Sequence, residues 1–380
     1  MNRIHANKTK LPLEYYLNPD FVYINIPDSK AQEITPRKVL RNECLFEHNG
    51  RSYYSPISGV ITGISDNERI YNRLVKAIVI ANDFEENVSV KKSALKYINK
   101  YSKDECISLI KKYLPAIQIN SDAKTLLING FDKEWTEETA SFIINNESDK
   151  ILETLDALMT IFSIDNCIIA INSKNTDNVI NITSNIGTYP NIHLKMLPDI
   201  YPIGFKNILI KNSLSKKEIQ NGIFYLNVED VLNLYKVLKK HQPVDEKYVT
   251  IGGNCIESPM VVYTKIGVKI ADLIKDKCTI TNDKYYVILN GLISGITIDS
   301  LNSIVTMDTR SIFLNTIDNE SEKECINCGL CTIKCPVHLN PKYIKEHKKA
   351  DRDRCINCGL CSYICPSKIN FKECLRRDEK

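Results

Sequence analysis

The spacing of apolar and polar residues divides most of the chain into three regions that predict different elements. In the first region, residues 22–26 are apolar and β-branched and precede a Pro27-Asp28 turn signal, which predicts a strand. Residues 54–64 predict two more strands about a Ser58-Gly59 turn. We interpret that segment as a structural hairpin.

From residue 101 to about residue 245 the pattern alternates between strand and helix. Residues 125–129 form an apolar run, residues 151–162 repeat apolar side chains at helical spacing, and residues 167–171 form a second apolar run. This order predicts a βαβ unit, and therefore a parallel sheet covered by helices. A further amphipathic helix is predicted over residues 229–240.

Strand patterns return after residue 246. Residues 248–253 and 285–298 predict strands on either side of a short helix near residues 268–274, as in a small α+β module. Residues 314–324 are polar and predict a linker to a cysteine-rich end. We therefore predict a multidomain chain of α/β and α+β type, divided into residues 1–100, 101–245, 246–313 and 314–380.

The composition is that of a soluble globular protein, with 43% hydrophobic and 25% charged residues. A chain of 380 residues is long enough for several domains. No run of eighteen apolar residues is present, and the first twenty residues lack the apolar segment of a secretory signal. We therefore expect a cytoplasmic protein that has no membrane span of its own but can dock on a membrane complex.

Two copies of one cysteine motif carry the clearest chemistry. Residues 325–336 read CINCGLCTIKCP and residues 355–366 read CINCGLCSYICP, so a C-x2-C-x2-C-x3-C-P spacing occurs twice, 30 residues apart. In this bacterial ferredoxin pattern the first three cysteines hold one [4Fe–4S] cluster, and the fourth ligates the other cluster. The predicted ligands are Cys325, Cys328, Cys331 and Cys365 for cluster 1, and Cys355, Cys358, Cys361 and Cys335 for cluster 2.

Other features of the motif agree with iron–sulfur chemistry. Gly329 and Gly359 can take positive φ angles, which lets backbone N–H groups point at cluster sulfurs. Structural zinc also uses C-x2-C pairs, but usually as two separated pairs, whereas each run here offers four cysteines in eleven residues. The duplication of CINCGLC further favours the iron–sulfur interpretation.

Positive charge is concentrated at the cysteine-rich end. Residues 321–380 hold 13 Lys/Arg and 8 Asp/Glu, although the net charge of the whole chain is only +4. A basic segment can indicate a nucleic-acid partner. However, a four-thiolate [4Fe–4S]²⁺ site carries a charge of about −2, which nearby basic residues compensate. We interpret the excess as cluster compensation and expect no nucleic-acid partner.

The remaining candidate residues are interpreted structurally. Glu134 and Glu137 could serve a cofactor, but we interpret them as solvated acidic residues at a helix start. No nucleophile-elbow or HExxH pattern occurs, so no catalytic residue is predicted. Six single cysteines are interpreted as small buried hydrophobic residues: Cys44, Cys106, Cys167, Cys255, Cys278 and Cys374.

The order of these features resembles the C subunit of Rnf-type ion-translocating electron transport complexes over essentially the whole chain. Residues 23–27 (YINIP) and 55–64 (SPISGVITGI) resemble its N-terminal barrel and lipoyl-like hairpin, although the central lysine of a lipoyl carrier is missing. Residues 201–204 (YPIG) and 248–253 (YVTIGG) resemble its α/β domain and the start of its β-grasp module. The resemblance implies four parts: a lipoyl-like β-domain, an α/β domain like the core of the complex I flavoprotein subunit, an SLBB-like β-grasp module, and a dicluster ferredoxin domain.

The family passes electrons from NADH through a flavin into a membrane complex. Its glycine-rich loop lets backbone N–H groups approach phosphates. Here residues 106–130 contain no glycine before Gly130, and residues 131–135 (FDKEW) replace the usual acidic segment. The resemblance therefore implies an intact cluster half and a degenerate nucleotide-binding half, which makes FMN, NADH and independent NADH oxidation doubtful.

Three functions are compatible with these features. The principal hypothesis is an electron-transfer subunit of an Rnf-like oxidoreductase complex, peripheral on the cytoplasmic face of the membrane. It would relay electrons through two [4Fe–4S] clusters toward membrane subunits that translocate the ion. The alternative is a soluble electron-delivery protein for a cytosolic reductase, and the third possibility is a module whose clusters sense redox state or oxygen.

Overall fold

The computed structural model describes residues 10–89, 97–316, 321–347 and 352–372. The N-terminal part is mainly antiparallel sheet. Its strands β2, β7, β6 and β3 pair in that order, and β4 pairs with β5 in a separate two-stranded ribbon. The elements are β1 (Leu13–Tyr16), β2 (Phe21–Asn25), α1 (Asp28–Ala31), β3 (Arg37–Val39), β4 (Cys44–His48), β5 (Arg51–Tyr54), β6 (Gly59–Ile70) and β7 (Arg73–Asn82).

The predicted hairpin about Ser58-Gly59 is wrong. β5 ends at Tyr54 and pairs with β4, whereas β6 pairs with β7 and β3. The reason is a close backbone approach at Gly59, where an added Cβ would lie 1.9 Å from the carbonyl oxygen of Ala81. Ser58 is buried and its hydroxyl donates to Asp83 at 2.7 Å, which fixes the entry to β6.

The second part confirms the predicted parallel sheet covered by helices. The strands lie in the order β10-β9-β8-β11, and all three pairings are parallel. β8 is buried at every position and therefore lies in the interior of the sheet. The elements are α2 (Lys103–Tyr113), β8 (Thr125–Asn129), α3 (Thr139–Phe162), β9 (Asn166–Asn172), α4 (Thr176–Ile186), β10 (Ile192–Leu197), α5 (Lys206–Ser213), α6 (Lys216–Gln220), β11 (Ile223–Asn227) and α7 (Val228–Lys240).

The third part is a six-stranded mixed sheet in the order β1-β13-β12-β16-β14-β15, so β1 from the N-terminal part pairs here with β13. The elements are β12 (Glu246–Gly252), β13 (Met260–Lys265), α8 (Ile270–Lys277), β14 (Tyr285–Leu289), β15 (Ile296–Ile298) and β16 (Ser311–Thr316). The predicted strand over 285–298 is broken by a turn at residues 290–295. A linker beginning at residue 314 is also wrong, because Leu314 is fully buried in β16.

Buried side chains and a buried ion-pair network join the first and third parts. Val22, Ile61 and Ile78 lie in one apolar core with Val249 and Leu314. The network, which we call the interdomain ion cluster, contains Arg41, Asp245, Glu246 and Lys265. Arg41 contacts Asp245 and Glu246 at 2.6 Å each, and Lys265 contacts Glu246 at 2.6 Å and Asp245 at 3.3 Å.

The stability contributed by Glu246 should depend on acid pH. Burial opposes its charge, but the ion pairs with Lys265 and Arg41 outweigh that effect and lower the pKa of Glu246 to about 2. A lowered folded-state pKa gives stability that is present above the unfolded value of about 4.5 and is lost as the pH falls toward 2. We expect the difference in the free energy of unfolding between wild type and Glu246→Gln to shrink over that range. Urea titrations at pH 6, 4 and 3 measure it, and an unchanged difference would contradict the ion-pair interpretation.

Candidate metal centre and adjoining cleft

The two cysteine motifs adopt the same local backbone. Gly329 and Gly359 both have φ of +71°, which confirms the predicted positive angles, and each precedes a short helix. Asn327 and Asn357 also share positive φ angles of 56° and 53°. The helices are α9 (Leu330–Ile333), α10 (Pro341–His347) and α11 (Leu360–Tyr363).

Each predicted ligand set lines its own cavity. The first cavity is lined by Cys325, Cys328, Cys331 and Cys365, and the second by Cys335, Cys355, Cys358 and Cys361. Each cavity therefore receives three cysteines from one motif and the fourth from the other. Within the described ranges no three Cys, His, Asp or Glu side chains close around a single-ion site. Ligation of clusters by these thiols stays a prediction.

The polar groups at the cavities suit thiolate ligands. The backbone N–H of Leu339 donates to Cys335 Sγ at 3.3 Å, and that of Asn357 donates to Cys355 Sγ at 3.4 Å. Such N–H donors stabilise the negative charge of cluster-bound sulfur. Burial raises the pKa of the Cys358 thiol to about 11 and that of Cys361 to about 12, so metal must displace protons when it binds.

Motif 2, residues 355–366, is held against the rest of the protein. The hydroxyl of Tyr201 donates to the carbonyl oxygen of Cys358, and the ring of Tyr363 meets Trp135 edge-on at 5.9 Å. Lys372 follows motif 2, and its Nζ donates to the carbonyl oxygens of Ile293, at 3.1 Å, and Gly295. The turn at residues 290–295 therefore contacts the segment that follows motif 2.

The interpretation of Glu134 and Glu137 as solvated residues is wrong, because the fold buries both. Glu134 accepts hydrogen bonds from the backbone N–H groups of Ile293, at 2.9 Å, and Ser294, at 2.5 Å. Glu137 accepts from the Ser311 hydroxyl at 2.8 Å and is ion-paired with Arg310 at 3.4 Å. Their partners lie more than 150 residues away, so helix position alone gave no signal of burial.

A cleft beside motif 2 contains four cationic side chains that sequence reasoning missed. We call it the cationic cleft and define it by Lys133, Lys206, Arg310 and Arg354. Asn129 and Asn227, at the carboxyl ends of β8 and β11, line it together with Cys355 and Ile356. The carboxyl edge of a parallel sheet is a common ligand site, and that rule was the available signal.

Two of these cations have unusual surroundings. Burial lowers the pKa of Lys133 to about 8, and its Nζ lies 4.7 Å from the centroid of the Phe205 ring. The Nε atom of Arg310 is buried without a hydrogen bond, although Arg310 is ion-paired with Glu137. Asp132, Glu229 and Asp353 also line the cleft, so its cationic side chains exceed the acidic ones by one, and this excess decreases as the pH rises through about 8.

The single cysteines differ in burial. Cys106, Cys167 and Cys255 are buried, as predicted, and Cys278 is partly buried. Cys44 is exposed on the two-stranded ribbon, so its predicted burial is wrong, and Cys374 lies outside the described residues.

In the part of the chain that the structure describes, no helix is both long enough and apolar enough to cross a bilayer.

Two protein families match the chain. Residues 108–236 match the family described as the Nuo51 FMN-binding domain, and residues 317–366 match the 4Fe-4S dicluster domain. The chain is therefore similar to an FMN-binding domain family over residues 108–236 and to a dicluster family over residues 317–366. Because one matched family is named for FMN binding, the predicted doubt about FMN is not confirmed.

The curated relatives are named as the C subunit of an ion-translocating oxidoreductase complex. The protein of Buchnera aphidicola subsp. Acyrthosiphon pisum is 26% identical over 88% of this chain and 75% of its own length. That of Erwinia tasmaniensis is 25% identical over 60% of this chain, which spans 30% of the relative. The predicted resemblance to the C subunit is thus confirmed. A NAD+-reducing [NiFe]-hydrogenase structure, at 10% identity, has a TM-score of 0.44 over 60% of this chain and 46% of its own.

Proposed function

We propose that this chain is the iron–sulfur electron-transfer subunit of an ion-translocating oxidoreductase complex and relays single electrons through two [4Fe–4S] clusters. The observation that carries the proposal is the sorting of eight cysteines into two cavities of four, in which one cysteine of each motif lines the cavity of the other motif. The match to a dicluster domain and the relatives named as the C subunit support it. Each cluster supplies reversible one-electron chemistry when bound.

The residues of this chain would hold the clusters and stabilise their charge. The thiolates of each set would hold the metal, and the N–H groups of Leu339 and Asn357 would stabilise charge on sulfur. Crosswise sharing of Cys335 and Cys365 keeps the two cavities adjacent, which suits transfer between clusters. Ion translocation would belong to partner subunits, and attachment would be peripheral on the cytoplasmic face of the membrane.

The residues present do not fit the backbone cradle of a flavin phosphate. Residues 108–129 contain no glycine. Two glycines nearby are used for internal packing: a Cβ on Gly130 would lie 2.8 Å from Ile171, and one on Gly204 would lie 2.6 Å from the Asp132 carbonyl oxygen. The proposed relay therefore contains no flavin step, and the electron donor would be another protein.

The finer division of the chain is also part of the proposal. It comprises a lipoyl-like β-domain over residues 1–100, a flavoprotein-like α/β domain over 101–245, an SLBB-like β-grasp module over 246–313, and a ferredoxin-like domain over 314–380. The pairing of β1 with β13 supports docking of the first and third of these domains as one unit. Membrane subunits of the complex, or a soluble carrier or reductase, would be the partners.

Anaerobic purification with iron and flavin quantification tests this function. We expect about eight irons per chain, no stoichiometric flavin, and a visible absorption that dithionite bleaches and NADH does not. Cys278→Ser, outside both cavities, is the matched control and should keep the iron. Iron far below four per chain would overturn the cluster proposal, whereas bound flavin with bleaching by NADH would overturn the flavin-free relay.

A further inference from the structure

The internal repeat allows each feature of one motif to be compared with its counterpart 30 residues later. Cys328 corresponds to Cys358, Gly329 to Gly359, and Lys342 to Lys372. The two glycines have the same φ of +71°. Because local sequence and backbone agree, differences between the motifs arise from what surrounds them.

The surroundings differ strongly at the second cysteine and the following glycine. Cys328 is exposed, whereas Cys358 is only 7% exposed. An added Cβ on Gly359 would lie 2.3 Å from the carbonyl oxygen of Ile293. At Gly329 the nearest atom to such a Cβ is 3.8 Å away, in Ile333 of the same motif. Motif 2 therefore packs against the described residues up to 316, which we call the body. Motif 1, residues 325–336, faces away from the body.

The two lysines show the same asymmetry. Lys342 lines the cluster 1 cavity, and its Nζ contacts Asn327 and, at 3.6 Å, Glu346, both within its own repeat. Lys372 lines the cluster 2 cavity, and its Nζ contacts the carbonyl oxygens of Ile293 and Gly295 in the body. Equivalent lysines thus hold one repeat together and attach the other to the rest of the chain.

The body residues that receive motif 2 are themselves fixed. The buried carboxylate of Glu134 binds the N–H groups of Ile293 and Ser294, which leaves the carbonyl oxygens of this turn for Lys372. Tyr201 lies edge-on to Trp135 at 5.4 Å, and its hydroxyl donates to the carbonyl oxygen of Cys358.

We propose that Tyr201, Lys372 and the turn at residues 290–295 are a positioning set, the cluster 2 seat, which fixes cluster 2 but not cluster 1 against the body. The proposal rests on the proposed iron–sulfur function. The seat places Cys355 and Ile356 in the wall of the cationic cleft, so a group bound in the cleft would lie beside a predicted ligand of cluster 2. Exposed Ile326 lines the cluster 1 cavity, and exposed Ile333 lies in the same motif, so this side would be left for exchange with an external partner.

The single tryptophan of the chain reports on this seat. Trp135 lies in the body, and its ring is 5.9 Å from the Tyr363 ring of motif 2. An oxidised cluster quenches a nearby indole, and the quenching falls steeply with distance. We therefore compare tryptophan emission of the full, iron-loaded chain in wild type, Lys372→Met and the matched control Lys342→Met.

We expect Lys372→Met to raise emission several-fold and Lys342→Met to leave it unchanged, with equal emission from the iron-free forms of all three proteins. In an EPR-monitored redox titration, Lys372→Met should shift the reduction potential of cluster 2, and Lys342→Met should shift that of cluster 1. Should Lys372→Met not fold by circular dichroism, Tyr201→Phe takes its place, because it removes only the hydroxyl.

Equal emission from both lysine variants at about eight irons per chain would overturn the seat and leave the relay intact. Failure of wild type to bind iron would instead overturn the proposed function itself. The iron content of each sample therefore separates the two failures.

Discussion

Replacing Cys335 by serine should remove cluster 2 and spare cluster 1, although Cys335 belongs to the first motif. The structure places its thiol in the cavity lined by Cys355, Cys358 and Cys361. A [4Fe–4S] cluster that loses one of four thiolates is bound far more weakly, so iron should fall from about eight to about four atoms per chain. Iron analysis and EPR of the dithionite-reduced protein measure the result.

Cys365→Ser provides the reciprocal test, because its thiol lines the cluster 1 cavity. We expect the EPR signal that survives in Cys335→Ser to be the one that disappears in Cys365→Ser. Cys255→Ser, a buried cysteine outside both cavities, is the control and should keep both signals. Loss of the same signal in Cys335→Ser and in Cys331→Ser would show that each motif holds its own cluster, contrary to the crosswise assignment.

The α/β sheet was predictable because local sequence determined it. The apolar runs at residues 125–129 and 167–171 are long enough for buried strands, and the helix between them shows clear periodicity. Parallel pairing then follows from the connection alone. The structure confirms these elements as β8, α3 and β9.

The fold around residues 54–64 was not predictable in the same way. The Ser58-Gly59 pair is a turn signal, but Gly59 is required by its close approach to Ala81, more than twenty residues along the chain. Pairing of β1 with β13 likewise joins residues about 250 apart. Such pairings depend on tertiary packing, which local propensity does not encode.

The residues of the candidate site also divide into those that local sequence predicts and those that depend on tertiary packing. Cysteine spacing is a local property, and it predicts both ligand sets without any knowledge of the tertiary structure. Burial of Glu134 depends on Ile293 and Ser294, and the cationic cleft depends on Arg310 and Arg354 approaching Lys133. The carboxyl-edge rule points to the ends of β8 and β11, but no pattern along the chain brings Arg310, Arg354, Ile293 and Ser294 to these groups.

Replacing Lys265 by methionine should destabilise the protein by about 3–5 kcal/mol, because it breaks a buried ion pair from one side. The Lys265 side chain is 3% exposed and contacts Glu246 at 2.6 Å and Asp245 at 3.3 Å. Arg41 contacts both carboxylates, at 2.6 Å each, and would retain part of their compensation, which places the expected loss toward the lower figure. Urea unfolding at pH 7 measures the change.

The matched control is Lys275→Met, which removes an exposed ammonium group on α8 and should change the free energy of unfolding by less than about 0.5 kcal/mol. The interdomain ion cluster joins Arg41 of the N-terminal part to the ends of β12 and β13. Its loss should therefore weaken the attachment between the first and third parts as well as global stability. An equal effect of both substitutions would mean that the cluster contributes no more than a surface charge.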